Sequence, residues 1–242
     1  MAEHVLKNIK VCVDAVDLTC YANSLTLEQT ADMLDTTAFC DDSARTFLAG
    51  LIQNSAQYGG WLDMETTDSV IDALVGASSA SILSFGVEDG AADGTIAYVT
   101  QGRVSSYQRL GAIGEIAPYD LTFQGTGWLG RGAVAVNSAV TSTSDSAGSQ
   151  LGALSATQTL YSAVHATVVS GTSPTMDIII ESDDNAGFTG ATTRITHTQL
   201  TAVGSELSSV AGAVTDDYWR AGMTIGGTAT PTFQLFIVLA IV

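Results

Sequence analysis

Lysine is almost missing from this chain. Among its 242 residues only Lys7 and Lys10 are lysines, and the eight basic residues face 25 acidic ones, for a formal net charge of −17. A groove that pairs phosphates and releases counterions needs clustered Lys and Arg. Ordinary nucleic-acid binding is therefore excluded, whereas an acidic surface that repels DNA suits a chain past which DNA slides. Cysteine is scarce too: Cys12, Cys20 and Cys40 are odd in number, lack CxxC spacing and crowd toward the N-terminus. Neither a disulfide framework nor a zinc site is indicated, and the three read as small buried residues in a reducing compartment. Met1 to Lys10 have no apolar stretch of the secretory type, so secretion is not expected. The longest apolar run, Leu235 to Val242, is far short of the roughly 20 residues of a membrane helix. It reads as a strand, the final one.

What is present is a β composition. Only 14% of the residues are charged and 46% are hydrophobic, with Thr, Ser, Ala and Gly filling the rest, which suits strands and turns better than solvated helices. The length suffices for one large core or two compact ones. Acidity is concentrated early, with 17 of the 25 acidic residues in the first 125 positions.

Alternation predicts half-buried strands at Val11, Val13 and Ala15 and at Leu25 and Leu27. Gln29 to Asp42, mixed in pattern and dense in Asp and Thr, predicts a long loop anchored by Met33, Leu34 and Phe39. Within 45–63 the glycines Gly50, Gly59 and Gly60 favour strands over a helix. One helix is predicted over Thr67–Val75: Thr66 or Thr67 caps it, Asp68 complements the dipole, Val70, Ile71 and Leu74 form one stripe, and Gly76 ends it. Further strands are expected at Ala80–Val87, Thr95–Val104 and Tyr119–Trp128. The nearly charge-free Ser/Thr/Ala/Gly stretch that follows marks a linker at 141–159, dividing a domain at 1–140 from a module at 160–242. That module reads as short strands at Leu160–Ser170, Met176–Ser182, Thr192–Thr198, Leu207–Val210, Trp219–Ile225 and Phe233–Val242. With turns at GTSP, DDNAG and GGTATP, it is sandwich-like or jelly-roll-like.

No motif nominates chemistry. His4, His165 and His197 have no carboxylate or cysteine at ligand spacing, there is no GxSxG elbow, and Asp183–Asp184–Asn185 lacks the EF-hand pattern. No catalytic residue, metal or cofactor is assigned, and the chain is not expected to be an enzyme. Asp216, Asp217 and Arg220 suggest a local ion pair beside Tyr218 and Trp219. Those two aromatics motivate an alternative reading, a carbohydrate-binding or adhesive surface protein.

The segment VDLTCYANSLTLEQTADMLDTTAFCDDSARTFLAGLIQNSAQYGGWLD (Val16–Asp63), the short helix near Thr67–Val75, and then GTIAYVTQGRVSSYQRLGAIGEIAPYDLTFQGTG resemble the tail tube proteins of long-tailed bacteriophages. The likeness covers roughly residues 5–140. Its most telling stretch is SLTLEQTADMLDTTAF, followed by an Arg-bearing turn and a second strand. The stretches SGTSPTMDIIIESDDNAGFTGATTRITHT and TDDYWRAGMTIGGTATPTFQLFIVLAIV look like a C-terminal module that accompanies such proteins. The resemblance implies a mainly β fold, a tail-tube-type sandwich or barrel with one short flanking helix plus a C-terminal β-sandwich. It implies a structural virion protein that self-assembles into rings, usually hexameric, stacked into a hollow tube for DNA delivery. Its partners would be copies of itself and other tail proteins such as the tape measure and terminator, with DNA passing unbound and no membrane involved. Its place would be the virion tail, assembled in the host cytoplasm. Met33, Leu34, Phe39 and Arg45 would then touch a neighbouring subunit, and Asp14, Asp17, Glu28 and Glu115 are the acids nominated to face the lumen.

Overall fold

A computed structural model describes residues 6–38, 44–65 and 68–242. The fold is mainly β. In chain order the strands are β1 Lys10–Val13, β2 Val16–Asp17, β3 Ala22–Asp35, β4 Phe47–Trp61, β5 Ser81–Gly86, β6 Ile96–Arg109, β7 Pro118–Val140, β8 Ser144–Asp145, β9 Ser149–Gln150, β10 Thr159–Asp183, β11 Thr192–Thr196, β12 Gly204–Ala211 and β13 Tyr218–Ile241. One α-helix, α1 Asp68–Leu74, accompanies them among the described residues. Two compact units result: one from the segment through Cys20 with Ser81–Thr100 and Gly130–Val242, the other from Tyr21–Ala80 with Gln101–Leu129. The division therefore falls inside β6 and β7 and not at one point along the chain.

In the first unit the strand order is β11-β10-β13-β7-β6-β5-β1-β2, with β12 also paired to β10. β10 and β13 pair antiparallel from Leu160↔Ile241 to Asp183↔Tyr218. The sequence predicts one strand on each side of GTSP and one on each side of GGTATP, but each such pair is one long strand with a bend. The bends lie opposite one another. Register shifts fall between Ser170 and Thr175, and positive φ occurs at Gly171 and Ser173 on β10 and at Gly227, Ala229 and Thr230 on β13. At Gly227, with φ 113°, an added Cβ would stand 2.8 Å from the Ser173 carbonyl oxygen, so only glycine fits. The turn-forming residues thus build a corner at which a two-stranded ribbon changes direction without losing its pairing.

On one side of that corner Thr159–Ala166 is flanked by β12 and β13, while Phe233–Ile241 is flanked by β10 and β7. Leu160, Val164 and Ala166, with Phe233, Leu235, Ile237 and Leu239, face a core completed by Met176, Ile178, Ile180, Trp219 and Met223. The alternate residues Ala163, His165, Phe236, Val238 and Ala240 are just as buried. His165 stacks on Phe236 at 6.1 Å and reaches β5, where the Ser84 hydroxyl is 2.7 Å from its Nε2. A strand buried on both faces needs no alternation, which is why Leu235–Val242 reads as an unbroken apolar run. Complete burial of each large side chain here contributes about 1.5–3 kcal/mol.

The stretch 141–159, expected as a linker, lies within this first unit. β8 and β9 pair with β13, and Leu154, 3% exposed, bridges Val214. Cys12 is buried and its thiol is pushed up by desolvation, whereas Cys20 is exposed in a 3-10 turn, contrary to expectation. Cys40 and His4 lie outside the described residues.

In the second unit β3 pairs β4, β4 pairs Pro118–Gln124 of β7, and β6 follows. The helix α1 matches the predicted one within a residue at each end. Ile71 is its buried contact, and Val75, just beyond its end, bridges Val104. Tyr107 donates its hydroxyl to Asp68 Oδ1 at 2.6 Å, and Arg109 donates to Asp68 at 2.8 Å and Asp72 at 2.6 Å. These bonds from Tyr107 first, then Arg109, hold the Asp68 carboxyl below the usual carboxylate range.

Candidate assembly surface

Gln29 to Asp42 does not start as a loop. Residues through Asp35 complete β3, and the register runs from Ala22↔Gly60 through Met33↔Ala49 and Leu34↔Leu48 to Asp35↔Phe47. Thr36 N–H extends the pairing to the Thr46 carbonyl at 2.9 Å, and Asp35 then accepts the Thr37 N–H at 2.9 Å in a local turn. Phe39, one of the nominated contact residues, lies outside the described residues.

Only Ser55–Trp61 of β4 finds a third strand, in β7. From Glu28 to Asp35 and from Phe47 to Asn54 the second unit is a two-stranded ribbon, with no partner strand on either outer edge among the described residues. A hairpin of two strands is at best marginally stable in water. This one is also apolar on both faces. The paired Leu34 and Leu48 lie on one face; Met33, Phe47 and Ile52, the last opposite Ala31, lie on the other, and Leu51 stands at the register shift between them. All six are exposed, Leu51 to 80%. Arg45 sits beside them, 3.9 Å from Asp35 Oδ2 and largely in solvent.

The four nominated acids divide. Asp14 and Asp17 belong to the first unit and are engaged internally: Asp14 Oδ1 accepts the Ile82 N–H at 2.8 Å, and Asp17 accepts from Thr19 N–H at 3.0 Å and from the Lys10 ammonium. Burial pushes the Asp17 carboxyl up, but the bonds from Lys10 and Thr19 outweigh it and leave the group below its ordinary range. Glu28, on the ribbon, and Glu115, in the β6–β7 connection, are exposed.

Tyr218 and Trp219 do not form a binding surface. Trp219 is fully buried and donates its indole N–H to the Gly152 carbonyl at 3.0 Å, while Tyr218 is half-buried. Strand alternation sends Trp219 into the core, a direction its Asp-rich approach does not reveal. The expected local ion pair is also rearranged. Asp216 meets Arg194 at 3.0 Å, and Arg220 meets Glu181 at 2.8 Å and Asp145 at 3.1 Å.

One arrangement that counting histidines missed is a Ser–His–Glu line. Ser162 Oγ lies 2.9 Å from His197 Nε2, and His197 Nδ1 lies 3.3 Å from Glu206 Oε1. Ser162 is 0% exposed, so no acyl donor reaches its oxygen. The line instead ties β10, the β11–β12 connection and β12 together. Burial lowers the His197 pKa, against the opposing pull of Glu206. Asp183 accepts N–H bonds from Asn185 at 3.0 Å and Gly190 at 2.8 Å, which makes DDNAG a closed turn. Among the described residues no group of three His, Cys, Asp or Glu gathers as metal ligands.

No family model matches the chain, and no curated protein matches it in sequence. Among solved structures it is similar to a chain of the virion of a native gene transfer agent particle, with 17% identity, TM-score 0.43, and coverage of 52% of this chain and 96% of that one. It is similar to the SPP1 tail tube protein, with 10% identity, TM-score 0.37, and coverage of 49% and 73%. It is also similar to the SPP1 Dit protein, with 10% identity, TM-score 0.37, and coverage of 98% and 100%.

Proposed function

We propose that this chain is a structural protein of a phage virion tail, which self-assembles into stacked rings forming a hollow tube through which DNA is delivered. The observation that carries the reading is the β3–β4 ribbon. Soluble monomers rarely leave a contiguous apolar patch beyond a few hundred Å² uncovered. A ribbon apolar on both faces, with unpaired edges, needs cover on several sides at once. Further copies of the chain supply that cover: one strand edge takes another, and neighbouring subunits pack on each face. Met33, Leu34, Phe39 and Arg45 are assigned to that inter-subunit contact, joined by Phe47, Leu48, Leu51 and Ile52.

The charge supports the second half of the reading. A tube wall with net negative potential repels phosphates and lets DNA pass unbound. Glu28 and Glu115 are the nominated acids whose exposure leaves them available to a lumen. Other tail proteins, such as a tape measure and a terminator, are the remaining partners, and assembly in the host cytoplasm precedes incorporation into the virion. The adhesive alternative loses its basis at Tyr218 and Trp219 because the indole is sealed in the core. Electron microscopy of the purified full chain tests the proposal: regular rings or hollow cylinders are expected, and a monodisperse monomer at high concentration contradicts it.

A further inference from the structure

We infer that the second unit carries a binding cleft for a neutral glycan, centred on Trp61. The cleft has a volume of about 300 Å³, at the lower end of the range for small-ligand sites. It is lined by Asn23, Ser24, Gly59, Trp61, Gln108 and Asp120 among others. It does not depend on the assembly reading, since every one of these residues belongs to the same compact unit.

The backbone makes the hollow. Ala22 pairs with Gly60 and Ser24 with Gly59, so Asn23 is the extra residue of a β-bulge. Bulges bend a strand and re-aim a side chain, and they concentrate beside binding sites. Opposite the bulge, Gly59 carries no side chain, and a Cβ there would come within 2.8 Å of Ser24 Oγ. The cleft opens beside this close contact and is walled by Trp61. That residue is held at the end of β4 by its pairing with Pro118 and by the Leu62 N–H bond to the Ala117 carbonyl at 2.8 Å. Its side chain is nevertheless 49% exposed, an aromatic platform on a rigid strand with no core role that requires it.

The chemistry of the lining selects the ligand class. Among the described residues Arg109 is the only cation at the cleft, and its guanidinium is spent on Asp68 and Asp72. Asp120 is then the one carboxylate of the lining, which disfavours phosphates and other anions. Two amides, the hydroxyls of Ser24 and Tyr119 and a carboxylate around a single indole match a ligand with many hydroxyl groups on one face and C–H bonds on the other. A sugar ring has that division: its C–H face stacks on the aromatic ring while the hydroxyls pair with planar polar side chains.

The full-length chain is applied to an array of neutral oligosaccharides, and retained glycans are titrated by calorimetry, with inorganic phosphate as the anionic probe. The inference expects at least one neutral glycan to bind, Trp61→Ala to weaken that binding at least tenfold, and Asp120→Asn to weaken it several-fold. Both side chains are exposed, so both variants should keep the parent far-UV circular dichroism, which separates loss of a site from loss of fold. Retention of no neutral glycan, equal affinity in Trp61→Ala, or binding of phosphate in place of sugar each overturns it.

Discussion

Two antiparallel strand pairs, one of 25 and 24 residues and one of 14 and 15, are spent in opposite ways. Along Thr159–Ala166 and Phe233–Ile241, β10 with β13 is apolar on both faces and buried on both, between the core around Trp219 and the layer that His165 touches through Ser84. β3 with β4 is also apolar on both faces along its outer half, yet Met33, Leu34, Phe47, Leu48, Leu51 and Ile52 are exposed. A double-sided apolar strand needs two covers. The first pair finds both within its own unit; the second finds them, on the proposed reading, in other copies of the chain. The difference lies less in residue type than in neighbours: β12 and β7 flank the first pair, and the second has only β4's short contact with β7.

That contrast is broken most severely from the buried side. Phe236→Ala removes a fully buried ring and is expected to cost about 3–5 kcal/mol in urea unfolding. Acid acts on the same layer. The His165 ring lies between the Asp14 carbonyl, which accepts from Nδ1, and Ser84; burial takes its pKa down from 6.5 to about 4. Between those values the unfolded chain binds a proton that the folded chain does not. Stability is therefore complete above pH 6.5 and falls with pH through this window, by about 3 kcal/mol in all. Denaturant midpoints measured from pH 7 to pH 4 should show this slope, and it should shrink in His165→Gln. Gly227→Ala, which forces a Cβ to within 2.8 Å of the Ser173 oxygen at positive φ, should cost about 1–3 kcal/mol by thermal unfolding. The smallest effect on stability belongs to the ribbon. Leu51→Asp combined with Met33→Asp should shift the unfolding midpoint of the unassembled chain by no more than about 0.5 kcal/mol each, while sedimentation shows assembly lost.

Much of this was legible in the residues. The helix at Asp68–Leu74 announced itself by its stripe and Gly76, and Leu235–Val242 by length and apolarity. What was not legible follows from what periodicity reports. Alternation marks one buried and one wet face, so a ribbon whose two faces share the same environment, as at Gln29–Asp35, gives no period and reads as a loop. GTSP and GGTATP carry true turn chemistry but stand opposite each other across a ladder, a relation between residues more than fifty positions apart. Trp219 and Tyr218 are adjacent, and nothing local says which of the two points inward. The Ser162–His197–Glu206 line and the cleft at Trp61 also depend on strand pairing.

The central claim, that the β3–β4 ribbon drives self-assembly, is tested most directly by negative-stain electron microscopy of the purified full chain beside the Met33→Asp/Leu51→Asp variant at equal concentration. Stacked rings or hollow cylinders are expected for the parent and dispersed, folded subunits for the variant. Cylinders that persist unchanged in the variant would contradict it.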